Sequence, residues 1–174
     1  MKNNIKVSII TVCFNSSSTI NRTIESVNNQ TYKNIQHIFV DGKSIDNTLE
    51  IIKFNSKRNP FLLSEPDKGL YDAMNKGIKI ASGDVIGILN SDDVYTSNNI
   101  ISKVVDKLIE TRSDILYGNI NYINKLGKVV RFWKSSEYKK DSFVNGWHPP
   151  HPSLFVNKRV YNSCKLFDLE LKIA

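Results

Sequence analysis

The first 110 residues alternate between short apolar runs and amphipathic stretches with helical spacing. Ile5–Val12 is rich in β-branched residues and ends in the polar turn Cys13-Phe14-Asn15-Ser16, the pattern of a strand running into a loop. Ile20, Ile24 and Val27 then share one helical face, with Ser16, Ser17 and Ser18 placed to cap that helix. Residues 35–40 read as a second strand closed by Asp41-Gly42. Asn47 with Glu50 three positions on has the form of a capping box, opening a helix to about Asn55. A short third strand over 61–63 leads through the turn Pro66-Asp67-Lys68-Gly69 to Leu70, Met74, Ile78 and Ala81, whose spacing predicts a helix over 70–81. The all-apolar run at 85–89 is of the kind buried on both faces in parallel sheets. Residues 97–109 again have an amphipathic helical pattern. Further on, 115–123 and 128–133 flank a Lys125-Leu126-Gly127 turn and read as a hairpin. Residues 135–153 form a long loop, a feature that is usually functional inside a compact domain.

Strand–helix alternation of this kind predicts an α/β fold with a mostly parallel central sheet flanked by helices. No repeat or linker divides the chain, so one domain over 1–174 is expected. Its composition, 40% hydrophobic and 24% charged, is ordinary for a globular chain. No apolar run approaches the ~20 residues of a membrane-spanning helix. The opening MKNNIKVSIITV is basic, then briefly apolar, and reads as the first strand rather than a signal peptide. Cys13 and Cys164 lack the spacing of a metal site or disulfide framework, which fits a reduced, cytoplasmic chain. The net charge of +7 includes a loose cluster at Lys125, Lys128, Arg131, Lys134, Lys139 and Lys140. That cluster is either a solvated face or a surface for an anionic partner: a nucleotide, a lipid headgroup or nucleic acid.

Ligands of open α/β sheets bind beyond the carboxyl ends of the strands. Four polar segments are expected on that rim: Thr11–Asn15, Asp41–Asp46, Glu65–Gly69 and Asn90–Asp93. Within the last, Asp92 and Asp93 are adjacent. Like charges at ~4 Å repel by roughly 1 kcal/mol in water and several-fold more in a partly dry cleft. A hard divalent cation reverses the sign, taking carboxylate oxygens and completing its shell with water and phosphates. Neighbouring side chains on an extended segment point opposite ways. One carboxylate would therefore take the ion and the other a ribose hydroxyl or a metal-bound water; a solvated turn is the plain alternative. Neither G-x-x-x-x-G-K-[ST] nor G-x-G-x-x-G occurs, so no glycine cradle is available to carry phosphate charge.

The segments VSIITVCFN (7–15), ESVNNQTYKNIQHIFVDGKSIDNT (25–48), EPDKGLYDAMNKGIKIASGDVIGILNSDD (65–93) and WHPPHPSLFV (147–156) resemble the inverting family 2 glycosyltransferases of GT-A fold. The likeness is strongest to bacterial members that build capsular or lipopolysaccharide chains. It implies a donor-binding part over about 1–118 and a partial acceptor-side part over about 119–174. Thr11, Val12, Cys13 and Asn15 would face the nucleotide's base and ribose, and Asp41 would read the base's N–H. Asp67 and Lys68 would wall the nucleotide sugar, Asp93 would bind Mn²⁺ or Mg²⁺, and Asp92 would face ribose or sugar. Trp147, His148 and His151 fall on the acceptor side; a hydrogen-bonded loop histidine is the plain alternative for the last two. In the family an acidic motif supplying the catalytic base follows a stretch like LFDLELKIA, so the resemblance implies either a base beyond Ala174 in a longer enzyme, of which this chain is a truncated piece, or a base that is missing.

The resemblance implies inverting, metal-dependent transfer of a sugar from a nucleotide-diphosphate sugar to an acceptor hydroxyl, in cell-surface polysaccharide synthesis. The expected partners are that donor and a glycan or lipid-linked acceptor, with no nucleic acid. Location would be cytoplasmic, with peripheral contact of the basic segment 125–140 at the inner face of the membrane. Three alternatives stay open: a donor-binding fragment without transfer, a nucleotidyltransferase-like enzyme, and a non-enzymatic anion or nucleic-acid binding module.

Overall fold

A computed structural model describes residues 4–171. β1 (Val7–Cys13) forms the centre of its main sheet. All seven of its residues are buried, as are all seven of β2 (Ile35–Asp41), which is how strands covered on both faces behave. β1 pairs in parallel with β2 from Val7 opposite Ile35 to Cys13 opposite Asp41. On its other edge it pairs in parallel with β4 (Val85–Ile88). β3 (Phe61–Ser64) extends the sheet beyond β2, also in parallel. Past β4 come β8 (Phe155–Asn157), antiparallel, and the two-residue β5 (Ile115–Leu116), giving the order β3-β2-β1-β4-β8-β5. β6 (Ile120–Ile123) and β7 (Val129–Trp133) make a separate antiparallel ribbon.

Strand alternation divides the core. Val7 and Ile9 of β1 pack with α1 (Ile20–Asn28) through Val27, and with α4 (Ile100–Thr111) through Ile101, Val104, Val105 and Leu108. Phe39 of β2 meets Ile20, Ile24 and Ile52, the last from α2 (Thr48–Asn55). Ile10, Val12, Ile38 and Val40 point the other way, onto Ala73, Met74 and Ile78 of α3 (Leu70–Ile80). This α3 lies so close to β1 that a Cβ built on Gly77 would sit 2.4 Å from Ile10 Cγ2. Tyr161, from α5 (Lys158–Ser163), and the following Leu166 and Phe167 cover the same face. Among the described residues no helix is long and apolar enough to cross a membrane.

The α/β alternation is as expected, and three local expectations are corrected. First, the serines do not cap α1 through their side chains: Thr19 is the N-cap, and the Ser16 carbonyl accepts from the N–H groups of Thr19 and Ile20. Second, Asn47 makes no side-chain cap on α2; Asp46, one residue earlier, accepts from Thr48 N at 3.0 Å instead. Third, the hairpin is shorter than the apolar pattern suggests. Ile115 and Leu116 leave it to pair with Val156 and Phe155 in the main sheet, and β6 and β7 begin only at Ile120 and Val129. β8 and α5 follow a Pro-rich loop and carry no clear period, so the pattern did not reveal them.

His37 is the unusual member of the core. It is fully buried, its Nε2 lies 2.9 Å from Thr11 Oγ1, and its Nδ1 has no partner among the described residues. Burial holds its pKa down at about 3, against 6.5 ordinarily. Between those values the unfolded chain takes up a proton that the folded chain refuses, so stability falls as pH falls through the window. From about pH 7 to about pH 4 this group alone should remove roughly 3 kcal/mol. Urea unfolding of the wild type should decline by that much more than His37→Gln over the same range; parallel declines would refute the assignment. Gly77→Ala should cost about 1–3 kcal/mol by overpacking α3 against Ile10, read as a lower urea midpoint with unchanged slope.

Candidate active site

The chain steps outward from β1 to β2 to β3, then returns to β4 on the opposite edge of β1. Loops leaving β1 and β4 therefore part, opening a crevice at the carboxyl ends of the strands. The four polar segments meet there. Gly42 N donates to Cys13 O, and Glu65 N donates to Asp41 O, joining the first three at the backbone. Asn15 takes a left-handed conformation (φ 47°), which asparagine tolerates. Its Oδ1 accepts from Ile45 N and its own N–H donates to Ser44 Oγ. Across the crevice, Ser16 Oγ and Ser91 Oγ are 2.9 Å apart, and Thr23 Oγ1 donates to Asp93 O at 2.8 Å.

Two carboxylates act as internal staples. Asp46 accepts from Thr48 and from Ser17 N, and these hydrogen bonds, the Thr48 side chain first, hold its carboxyl well below the usual range. Asp41 is fully buried and accepts from Ser44 N at 3.0 Å, Ser64 Oγ at 2.6 Å and Ser44 Oγ. Cys13 Sγ sits 3.8 Å from Asp41 Oδ1; burial and then Asp41 push the thiol far up, leaving it unreactive.

At the mouth stand Phe14, 61% exposed, and Asp67. A Cβ on Gly42 would lie 2.7 Å from Asp67 Oδ2 and 3.4 Å from Phe14 Cδ2, so the aromatic ring and the carboxylate converge where Gly42 leaves room. Asp67 Oδ1 accepts from Gly69 N at 2.8 Å. Lys76, a turn down α3, holds this loop through Glu65 at 2.9 Å, Asp72 at 3.3 Å and the Pro66 carbonyl, while Asp72 accepts from Lys68 N. On the same helix Asn75 brackets Phe167, donating to its carbonyl at 2.8 Å and accepting from its N–H at 3.0 Å.

Opposite stands the acidic pair. Asp92 is exposed and Asp93 half-buried. Burial first, and the Asp92 charge second, push the Asp93 carboxyl up to about 6, against hydrogen bonds from Asn90. Asn90 Oδ1, at the end of β4, is buried without a partner among the described residues. Two repelling carboxylates beside an unused amide oxygen fit a hard divalent cation, which takes oxygen ligands and keeps positions for water and phosphate. Among the described residues no group of three or more His, Cys, Asp or Glu side chains could hold a metal, so the ion's remaining shell would come from elsewhere.

β8 runs antiparallel to β4, with Phe155 opposite Gly87, so the 3-10 turn His151–Ser153 lies back toward the carboxyl end of β4. His151 is part-buried there, its Nε2 without a partner among the described residues, and burial lowers its pKa. Trp147 and His148 lie in a second cluster. Trp147 packs edge-on against Tyr117 and Phe143, and His148 edge-on against Trp133.

The crevice thus gathers Asn15, Asp41, Asp67, Lys68, Asp92 and Asp93. Thr11 and Val12 lie beneath it, buried in β1, with Thr11 turned to His37. The expected list omits Phe14, Asn90 and Lys76. An aromatic residue left exposed directly after a buried strand was the available signal for the first; the other two declare themselves only through tertiary contacts.

A family model described as Glycosyl transferase family 2 matches residues 8–162. The chain belongs to that family. Among its relatives, an uncharacterized glycosyltransferase of Mycobacterium tuberculosis is 39% identical over 103 residues, 59% of this chain and 39% of the relative. The Escherichia coli protein named UDP-Glc:alpha-D-GlcNAc-diphosphoundecaprenol beta-1,3-glucosyltransferase WfgD is 35% identical over 127 residues, 72% of this chain and 50% of the relative. This family 2 chain therefore spans half or less of the length of these relatives. Its fold is that of S. aureus TarS, solved with UDP, at a TM-score of 0.77 and 22% identity, covering 98% of this chain and 52% of that one. A mannosyltransferase of Pyrobaculum calidifontis, solved with GDP-Man and Mn²⁺, aligns at a TM-score of 0.67 and 15% identity over 96% of this chain and 48% of that one. These matches establish the family 2 chain as GT-A in fold.

At neutral pH the raised pKa of Asp93 makes its ionised form a liability in the folded state: stability is lost as pH rises through about 6. Asp93→Asn should therefore raise Tm by several degrees in metal-free buffer, at roughly 2–4 °C per kcal/mol. The same variant should lose the further rise that Mn²⁺ gives the wild type. Equal metal responses in both would show that Asp93 is not a ligand.

Proposed function

We propose that the chain binds a nucleoside-diphosphate sugar in the crevice between the loops of β1 and β4 and serves inverting transfer of that sugar to an acceptor hydroxyl. The observation that carries the reading is the pairing across that crevice. An exposed aromatic ring beside a glycine-made gap stands on one side. A destabilised pair of acids with an unused amide oxygen stands on the other. In this arrangement Phe14 offers its face to the nucleobase, with Asn15 and Asp67 supplying polar edges for base and ribose. Asp41 acts through the loop it holds, since Ser44 and Ser64 already occupy both of its oxygens. Lys68 extends from a loop fixed by Lys76 and brings positive charge to the donor wall.

Asp92, Asp93 and Asn90 would hold Mn²⁺ or Mg²⁺, an ion that supplies Lewis-acid stabilisation of charge on a leaving diphosphate. Asp93 is placed to bind directly, because it is the buried member of the pair, and Asp92 to face ribose or sugar. His151, whose Nε2 has no partner among the described residues, sits in the turn beside the end of β4, on the side where an acceptor would enter. Trp147 and His148 line the outer part of that approach. WfgD is named for a diphosphoundecaprenol-linked acceptor, which supports a lipid-linked acceptor and a role in cell-surface polysaccharide synthesis.

Calorimetric titration with UDP-sugars and GDP-sugars, with and without Mn²⁺, tests the donor site. Tight binding should require the metal, and Phe14→Ala should weaken it about tenfold, as loss of a stacked base does. Metal-independent binding, or a Phe14→Ala variant that binds as well as the wild type, would overturn the site. Transfer itself is read from radiolabelled sugar reaching a polyprenyl-diphosphate sugar acceptor. Asp92→Asn and Asp93→Asn should each abolish the signal.

A further inference from the structure

The β6–β7 ribbon is the part of the molecule least explained by the donor site. It shares no strand pairing with the main sheet, and an isolated two-stranded ribbon in water is at best marginal. One of its faces is tied down. Ile120 lies opposite Trp133, whose ring meets His148 at 5.5 Å, and Arg131 stacks over Tyr122 at 5.1 Å. The other face has no such cover. Val130 is 63% exposed and Phe132 57%, and the turn between the strands carries Leu126 at 92% exposure. Val129 lies opposite Ile123 and Phe132 opposite Asn121, with Val130 the extra residue of a bulge, and Lys134, two positions from Phe132, shares its side. From Asn119 to Ser136 the chain has four basic residues, Lys125, Lys128, Arg131 and Lys134, and no acidic one.

The neighbouring loop adds apolar and aromatic surface but no net charge, since Glu137 and Asp141 offset its two lysines. Tyr138, Phe143 and Trp147 pack on one another, with Tyr138 and Phe143 more than half exposed and Val144 nearly fully so, beside Lys139 and Lys140. Its anchor is Tyr117, whose hydroxyl accepts from Tyr138 N at 2.8 Å. Exposed apolar and aromatic side chains beside an acid-free basic ribbon match an interface of anionic headgroups over hydrocarbon. A protein partner could satisfy the apolar part, but the cationic rim selects for a negative surface.

We propose that the β6–β7 ribbon, with the 138–144 loop, docks on an anionic lipid bilayer: the exposed side chains of Leu126, Val130 and Phe132 enter the headgroup boundary while Lys125, Lys128 and Lys134 meet phosphates. The role this gives the ribbon rests on the lipid-linked acceptor proposed above. Because Trp133 at the foot of the ribbon touches His148, a docked ribbon sets the acceptor side at the height of the membrane surface. The diphosphate head of a lipid-linked sugar would be found there.

Flotation with phosphatidylcholine vesicles containing phosphatidylglycerol, and with phosphatidylcholine alone, separates docking from transfer because neither holds any sugar acceptor. The wild type should float with the anionic vesicles only. Lys125→Gln with Lys128→Gln should lower partitioning roughly 30-fold, and Leu126→Asp should lower it at unchanged charge on the lysines. Binding of UDP with Mn²⁺ should be unaffected in both variants, which shows that they fold. Failure of donor binding in all proteins, with flotation intact, would sink the donor reading and leave docking standing. Three results would overturn the docking proposal: no flotation of the wild type, flotation equal in wild type and variants, or a wild-type dimer that the Leu126→Asp variant loses.

Discussion

A strand buried on both faces must find neighbours on both edges, and β1 finds β2 on one and β4 on the other. Once the chain has gone outward through β2 and β3, it can return only past the opposite edge. The loops that follow β1 and β4 are thus forced apart at one end of the sheet and nowhere else. Everything chemical in the molecule collects around that parting. The Ser16–Ser91 contact bridges it, the aromatic mouth at Phe14 stands on one lip, and the acids at 92 and 93 stand on the other.

The two sides of the crevice are built on opposite energetic principles. On the β1–β2 side, Asp41 and Asp46 spend their oxygens on hydroxyls and backbone N–H groups, which fixes the loops before any ligand arrives. On the β4 side, satisfaction is withheld. Asp93 is held part-buried next to a like charge, and the Asn90 oxygen has no partner among the described residues. Such a division is what a binding site for a charged ligand needs, rigid where it positions and under-compensated where it receives charge. The fold can sustain the unsatisfied half because the core beneath it, from Ile9 and Ile10 to Phe39 and Met74, is closed to water.

Much of this was readable from residues alone, for a physical reason. β4 is a continuous apolar run and β1 and β2 are mostly apolar because both faces are covered, and α1, α3 and α4 keep an apolar stripe because only one of theirs is. The four polar segments follow the strands directly, so their convergence is a consequence of parallel topology. Legibility ended where local pattern no longer determines the outcome. Asp46 replaces Asn47 at the start of α2 because its carboxylate can reach both Thr48 and Ser17, a choice that depends on a loop thirty positions away. Ile115 and Leu116 look like the start of a hairpin, but β8 offers them a better edge. Thr11 directly precedes the mouth in sequence, yet it is buried in β1 with its hydroxyl against His37. Phe14 sits in a turn read for its polar residues, and only the fold shows its ring left exposed beside Gly42.

One helix serves two distant stretches at once. Through Lys76 and Asp72, α3 grips the loop that carries Asp67 and Lys68; one turn along, Asn75 holds the backbone of Phe167 in a two-pronged grasp. Gly77 sets the same helix against the central strand, where a Cβ would meet Ile10. The loop of Lys68 and the backbone of Phe167 therefore rest on one support, and a substitution that displaced α3 would be felt at both.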